Sequence, residues 1–504
     1  MDKLHVIHSR NGKIGLGTDT NPEDLDALVT AAAQHPSRHL ILHFHGGLVS
    51  KADGTANAAT MIEAYKDAGY PVFFVWESSW WEAIRNNLAE LRDEPAVQGL
   101  ERKIIFWVIK KLGMPMLPGA DAPALLDLAG ADIVVRAEMA KAELDTDEVE
   151  ADLAADPDFR RSLATLPGLS DSDHAELGVN MLIAERRTAV GTILSEQLKG
   201  DAFIPEGGGL LWRAALYVVK VAWNVFDRFQ AKRDHGVHAT CMEELVRAIK
   251  LGGSTASDWG RTLEWDRMKK DTRDAFEKTT EVSLANPELH AGTALLARLR
   301  DAIAAKRMQL DRITLVGHST GAIYIANWLR HCGDYLPAAL KHDLVFLAPA
   351  ITYDDFADLL ATNQDKIGKF RMFAMKDEVE RIDQVIGNDM ETAHTAASMI
   401  YPSSLLYLVS GLLETRTENG KQVDEPDKPL LGLQRFYKNT EVYRDSEFPA
   451  IKQVVAWLDS ANHTVVWSIS EGQLDGLNCP CNDHGSFGGK FMIPTLRHIV
   501  SKGF

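Results

Sequence analysis

The sequence predicts an α/β fold, a mostly parallel central sheet with helices on both faces, interrupted by a large helical insertion. Three observations carry this. Apolar runs of strand length recur at residues 39–44, 71–76, 313–316, 344–347, 370–374 and 464–467, as buried strands should. Helical patterns fall between several of them, the βαβ rhythm that puts parallel strands in one sheet. From about residue 78 to 286 that rhythm stops and the segment reads as almost wholly helical, with an acidic middle.

In chain order, residues 4–19 alternate polar and apolar around Asn11-Gly12, which predicts a β-hairpin. Asn21-Pro22-Glu23-Asp24 supplies an N-cap with proline at the first helical position, opening a helix to about His35. The strand at 39–44 runs directly into His45-Gly46-Gly47-Leu48, and a helix near 56–68 leads to the strand at 71–76. After the insertion come a helix near 289–306, the strand 313–316, a helix from about 320 to 331 and the strand 344–347. A second long stretch, about 379–462, separates the last two strands. The domain reading is a split core (1–77 and 288–504), a helical cap (78–287) and a smaller insertion within the core (380–461).

At 504 residues the chain exceeds one ordinary domain, which suits a core plus insertions. A hydrophobic fraction of 45% and a charged fraction of 25% exclude a disordered or fibrous chain. The net charge of -17 argues against nucleic acid and against general attraction to anionic lipid. Four cysteines (Cys241, Cys332, Cys479, Cys481) are too few for a disulfide framework. With no secretory signal or lipidation motif in view, a cytoplasmic location is expected.

The chemistry concentrates at Gly317-His318-Ser319-Thr320-Gly321, where a β-rich run gives way to a helical pattern. Such a match arises by chance in roughly one chain in six of this length, so context decides. A strand before and a helix after form the setting of a nucleophile elbow. The flanking glycines leave space where side chains would clash, and the Thr320 N–H at the helix start faces a developing oxyanion. Gly46, Gly47 and Leu48, after the first long strand, are the other candidates for the oxyanion hole, because consecutive glycines can turn their amides toward one oxygen. A serine needs a base: His484, in the loop after the last strand, is the candidate, with His463 and His498 as rivals in more regular settings. For the orienting carboxylate, the acidic turn after strand 370–374 offers Asp377, with Glu378, Glu380 and Asp383 as alternatives.

These residues resemble the α/β-hydrolase superfamily over roughly residues 1–77, 288–378 and 462–504, and their order is similar to that of bacterial lipases and esterases. The resemblance implies an acyl-enzyme mechanism on a carboxylic ester, with Ser319, Asp377 and His484 as triad, Gly46, Gly47, Leu48 and Thr320 around the oxyanion, and no cofactor or metal. A thioesterase, amidase or peptidase would use the same groups, and a hydrolase-fold protein that binds a ligand without turnover is the alternative of another class. The long insertion after Trp76 departs from the pattern.

Apolar runs at 104–109, 210–226 and 405–413 bear on the substrate. Interrupted by Arg213 and Lys220, the longest is at the lower limit for a membrane span, so a transmembrane helix is not expected. Either these segments form the cap's own core, or they give an interface-seeking surface for peripheral membrane contact and a lipid or long-chain acyl ester. Cys479-Pro480-Cys481 lacks the further ligands a zinc needs and reads as loop thiols near His484.

Overall fold

The computed structural model describes residues 2–15, 17–47, 49–76, 221, 224–225, 228, 231–250, 261–278, 289–386, 399–418, 421–424, 427–439, 441–443, 446–470 and 475–504. In chain order these form β1 (Val6–Ser9), β2 (Lys13–Ile14), α1 (Pro22–Gln34), β3 (His39–Phe44), α2 (Lys51–Tyr65) and β4 (Tyr70–Trp76). Helices α3 (Val237–Lys250) and α4 (Arg261–Asp274) follow, then β5 (Leu289–His290), α5 (Ala291–Ala304), β6 (Arg312–His318), α6 (Gly321–Cys332), β7 (His342–Leu347) and α7 (Tyr353–Asn363). The rest comprises β8 (Ile367–Met375), α8 (Asp377–Glu380), β9 (Val385–Ile386), β10 (Met399–Tyr401), α9 (Leu405–Leu408), β11 (Thr415–Glu418), β12 (Lys421–Asp424), α10 (Gln434–Lys438), α11 (Pro449–Leu458), β13 (His463–Ser468) and α12 (Ile493–Lys502).

The fold is α/β. Seven strands make one sheet in the order β1-β4-β3-β6-β7-β8-β13, and every neighbouring pair is parallel. Burial on both faces explains why β3 and β4 read as unbroken apolar runs rather than alternating ones. The chain leaves β3 through α2 toward β4 on one side and leaves β6 through α6 toward β7 on the other. Ligands of open parallel sheets sit at such a reversal, outside the carboxyl ends of the strands. Here it lies between β3 and β6.

The first expectation needs correction. Asn11 and Gly12 do turn the chain at positive φ (50° and 74°), but Val6 to Ser9 are all buried and pair in parallel with β4. A strand buried on both faces gains more from the sheet than from a short hairpin. β2 therefore pairs with β5 instead, and only an Arg10–Lys13 bridge remains of the hairpin.

Helix ends follow local chemistry. Asp24 at the third helical position accepts from the Asn21 N–H (2.8 Å), half of a capping box at the start of α1. Ser50 caps α2 by accepting from the Asp53 N–H, so α2 starts five residues before the expected 56. Every residue of α6 from Gly321 to Leu329 is buried. At about 1.5–3 kcal/mol for each large apolar side chain, burial of Ile323, Ile325, Trp328 and Leu329 outweighs the helix propensity lost to β-branching.

Much of the predicted cap, including the 104–109 run and most of 210–226, lies outside the described residues. Of its described helices, α4 meets the core, where Asn327 Nδ2 of α6 donates to Thr272 Oγ1 (3.0 Å), and the 380–461 segment, where Trp265 Nε1 donates to Glu414 (2.7 Å); α3 meets that segment through Arg247, which donates to Gly411 O (2.9 Å). The third apolar run, 405–413, is buried throughout, so it packs as core and offers no surface to lipid. Among the described residues no helix is long and apolar enough to cross a membrane.

A buried ionic cluster ties the two insertions together. Arg228 contacts Glu243 (2.5 Å) and Glu244 (3.2 Å), and the ring nitrogens of His235 bond Glu243 Oε1 (2.8 Å) and Asp427 Oδ1 (2.9 Å). The hydroxyl of Tyr443 donates to Asp427 Oδ2 (2.8 Å), and Tyr401 donates to Glu243. Burial alone would raise the Asp427 carboxyl, but Arg435, His235 and Arg228 overcome it and hold the group at about 2.

Removing one partner of such a cluster leaves a buried charge, so Asp427→Asn should cost about 3–5 kcal/mol at pH 7 in urea unfolding. Because the folded carboxyl lies below its ordinary 3.8, its contribution is present above that value and lost as pH falls toward about 2. The variant's deficit should therefore shrink across that window. A constant deficit there would remove the electrostatic account.

Candidate active site

Ser319 occupies the turn between β6 and α6 at φ +54°, the left-handed region that a non-glycine residue adopts only when its surroundings impose it. Its N–H donates to Leu347 O (2.8 Å), and its carbonyl accepts from the Ala322 and Ala350 N–H groups (both 3.1 Å). The main chain is thus pinned from three directions. The flanking glycines are steric requirements: a Cβ on Gly321 would lie 2.3 Å from the Phe44 carbonyl oxygen, and one on Gly317 would lie 2.7 Å from Gly321 C. Gly321 lets α6 pack directly onto the end of β3, and Gly317 lets it pack onto β6.

A cavity of about 530 Å³ opens at this corner, and Ser319, His484, Asp383 and Gly46 all line it. Of the predicted residues the structure therefore gathers Ser319, His484 and Gly46. His484 is buried, and neither ring nitrogen meets a hydrogen-bond partner. Among the described residues no hydrogen bond joins it to Ser319 Oγ. Burial, and then the neighbouring His318, press its pKa well below 6.5, so the imidazole is neutral at physiological pH. Unliganded sites often close such a bond only on substrate.

His484 is held by its main chain instead. Its N–H donates to Asp383 Oδ2 (3.1 Å), while its carbonyl accepts from His318 Nε2 (3.1 Å). The His318 and His484 rings lie 5.1 Å apart. His318 fits because Gly46 and Gly488 carry no side chains: Cβ atoms there would come within 2.9 and 2.7 Å of its Nδ1. Burial keeps His318 itself neutral, near 4.

Asp377 stands elsewhere. Its carboxylate is engaged by Arg381 Nε (3.1 Å) and by the Tyr407 hydroxyl, and it does not line the cavity. Two carboxyls do line it: Asp483, which accepts from the Ser486 N–H (2.9 Å), and Asp383, which accepts from the Gln384 N–H (2.9 Å). Burial raises Asp383 to about 7, against the lowering effect of the His484 N–H. Glu380 is fully buried and does not line the cavity, and burial likewise raises it against the lowering effect of Ser404. The two rival histidines are structural. His463 packs on Trp457 with ring centres 3.6 Å apart, and His498 lies in α12 beside Asp475.

Around the oxyanion corner the four predicted residues separate. The Gly47 N–H donates to Thr320 Oγ1 (3.0 Å), so it braces the two loops against each other and is not open to a ligand. Leu48 lies outside the described residues. The Gly46 and Thr320 amides donate no hydrogen bond within the described residues and remain as the donors. His45 sets the Gly46 peptide: its Nδ1 donates to Gly46 O (2.6 Å), its Nε2 accepts from the Trp76 N–H (3.1 Å), and its ring stacks on Trp76 at 4.0 Å. Sequence reasoning had no signal for this use of His45, nor for His318, because both act through distant main-chain atoms.

A scan against protein-family models, a search of curated proteins and a search of solved structures each returned no match. Among the described residues no group of His, Cys, Asp and Glu is placed to hold a metal ion. Cys479 and Cys481 are buried free thiols.

Overpacking a core costs roughly 1–3 kcal/mol, and a backbone oxygen cannot yield. Gly321→Ala should therefore lower stability by about 3 kcal/mol, whereas Gly333→Ala, which would meet only the flexible end of Lys366 at 3.0 Å, should cost much less. Equal midpoints in denaturant would refute the close-approach account. A second expectation concerns pH. The folded Asp383 lies above its ordinary 3.8, so its ionisation opposes folding as pH rises through about 7. Asp383→Asn should raise the melting temperature relative to the native chain at pH 8 and give no such gain at pH 4.

Proposed function

We propose that this chain is a serine hydrolase of the α/β-hydrolase type that cleaves a carboxylic ester through an acyl-enzyme. One observation carries the reading: Ser319, at positive φ on a strand-to-helix turn, opens at the reversal point of a parallel sheet into a cavity it shares with His484 and Asp383. The order of strands and residues supports it. Gly46 follows β3, Ser319 follows β6, Asp383 comes after β8 and His484 after β13, the sequence of oxyanion loop, serine, acid and histidine that this type of site uses.

In this mechanism neutral His484 accepts the Ser319 proton as Oγ attacks the ester carbonyl. The oxyanion that forms is held by the Gly46 and Thr320 N–H groups, with the positive end of α6 behind the second. His484 then gives its proton to the departing alkoxide, leaving an acyl-serine. Water, deprotonated by the same ring, releases the acid and restores Ser319. Asp383 replaces Asp377 as the carboxylate of the site: it fixes the His484 main chain and stabilises the imidazolium formed at each proton transfer. Thioesters and amides would follow the same path. The absence of a Ser319 to His484 hydrogen bond favours one other reading, a ligand-binding protein without turnover.

A fluorophosphonate probe decides between them. The native chain should be labelled and Ser319→Ala should not, with ester turnover lost on the order of a million-fold. Asp383→Ala should lower kcat at least about a hundredfold, while Asp377→Asn stays near native. Labelling that survives in Ser319→Ala would sink the assignment, and no labelling of the native chain would favour binding alone.

A further inference from the structure

From the wall of the cavity away from the triad we infer that the site takes a medium-chain acyl ester, its chain seated between α2 and strands β3 and β4. This inference rests on the hydrolase reading for its chemistry, but its geometry stands on separate residues. Gly54, Asn57, Ala58 and Met61 of α2 all line the cavity, and their spacing of three, four and seven puts them on one helix face. Opposite them lie His43, Phe73 and Val75. A helix packed on a sheet usually fills this space with large side chains. Ala58 does not, and it lines the same cavity as Ser319.

The direction of the chain gives the pouch a mouth and a floor. At the mouth Gly54 sits against Val75 and His45, where an added Cβ would meet their side chains at 3.2 and 3.4 Å. Four residues past Met61, the Tyr65 hydroxyl donates to His43 Nδ1 (3.3 Å), and the His43 ring stacks on Phe73 at 5.0 Å. Those contacts close the inner end. From Gly54 to Met61 the helix rises about 10 Å, which sets the depth and so the reach of an extended alkyl chain. Burial, with His318 and His45 near, holds the His43 imidazole neutral, near 3, so no charge opposes an apolar guest.

Reaction chemistry assigns this pouch to the acyl side. His484 must hand its proton to the leaving oxygen, so the alcohol part lies toward His484 and Asp383. Both enter from the β8 and β13 side of β6, whereas α2, β3 and β4 lie on the other side. An ester carbonyl held at Gly46 and Thr320 then directs its acyl chain under α2.

Two substitutions with opposite effects test this. On p-nitrophenyl acetate, octanoate and palmitate, the native chain should prefer octanoate. Ala58→Leu should lower the octanoate-to-acetate ratio of kcat/KM at least about tenfold, the discrimination typical of a filled apolar pocket. Met61→Ala should shift the preference toward palmitate. Calorimetric binding of octanoate to Ser319→Ala, which needs no turnover, should be lost in the Ser319→Ala/Ala58→Leu double variant. A chain-length profile unmoved by both substitutions, or octanoate binding that is absent or indifferent to Ala58, overturns the pouch. Ala58-dependent binding in a chain whose Ser319 does not label supports the pouch and fails only the hydrolase reading.

Discussion

Everything at the candidate site depends on how closely α6 approaches the end of β3. Gly321 lies so near the Phe44 carbonyl that no side chain fits between them. Ser319 is consequently forced into a left-handed turn whose strain, on the order of 1–3 kcal/mol, is borne by three main-chain hydrogen bonds and by the burial of α6 on all sides. Because the two strands adjoin at the point where the chain reverses its order across the sheet, that one contact sets serine, glycine loop and cavity side by side.

The sheet was readable because its buried parallel strands are mostly apolar, and all six of the strand runs found from sequence are present: 39–44 with the same bounds, the other five extended by one to three residues at their ends. The hairpin was misread for the same physical reason in reverse. Val6 to Ser9 include His8 and Ser9, polar residues that suggest a solvated face but are buried against the sheet edge. Within the candidate site, Ser319 and Gly46 were legible since each follows the end of a strand, and His484 through its polar setting in the long loop after β13. The carboxylate was not. Asp377 and Asp383 belong to one acidic turn, and only tertiary contacts, Arg381 and Tyr407 on one and the His484 N–H on the other, separate them. The α2 face was written plainly at helical spacing, yet small residues there carry no meaning until a cavity is seen beside them.

The ionic cluster around His235 has a related logic. Arg228 pairs with Glu243 and Glu244 within the first insertion and Arg435 with Asp427 within the second, and His235, bonded to both Glu243 and Asp427, links the two. Arg381, which pairs with Asp234 of the first insertion, also holds Asp377. Asp377, the first carboxylate after β8, is therefore committed to joining the pieces, while Asp383, further along the chain, faces the cavity.

His484 is gripped at both ends of its peptide unit while its ring stands unattached. In the role proposed for it, a ring anchored in this manner would act as a pendulum on a fixed pivot, with rotation about two side-chain bonds carrying its nitrogen from one oxygen to another. In the proposed reaction the serine proton and the leaving group would lie in different directions, and a ring rigidly bonded toward one would be poorly placed for the other. Holding the peptide while the imidazole stays unbonded would let one residue attend to both from a loop fixed by Asp383 and His318.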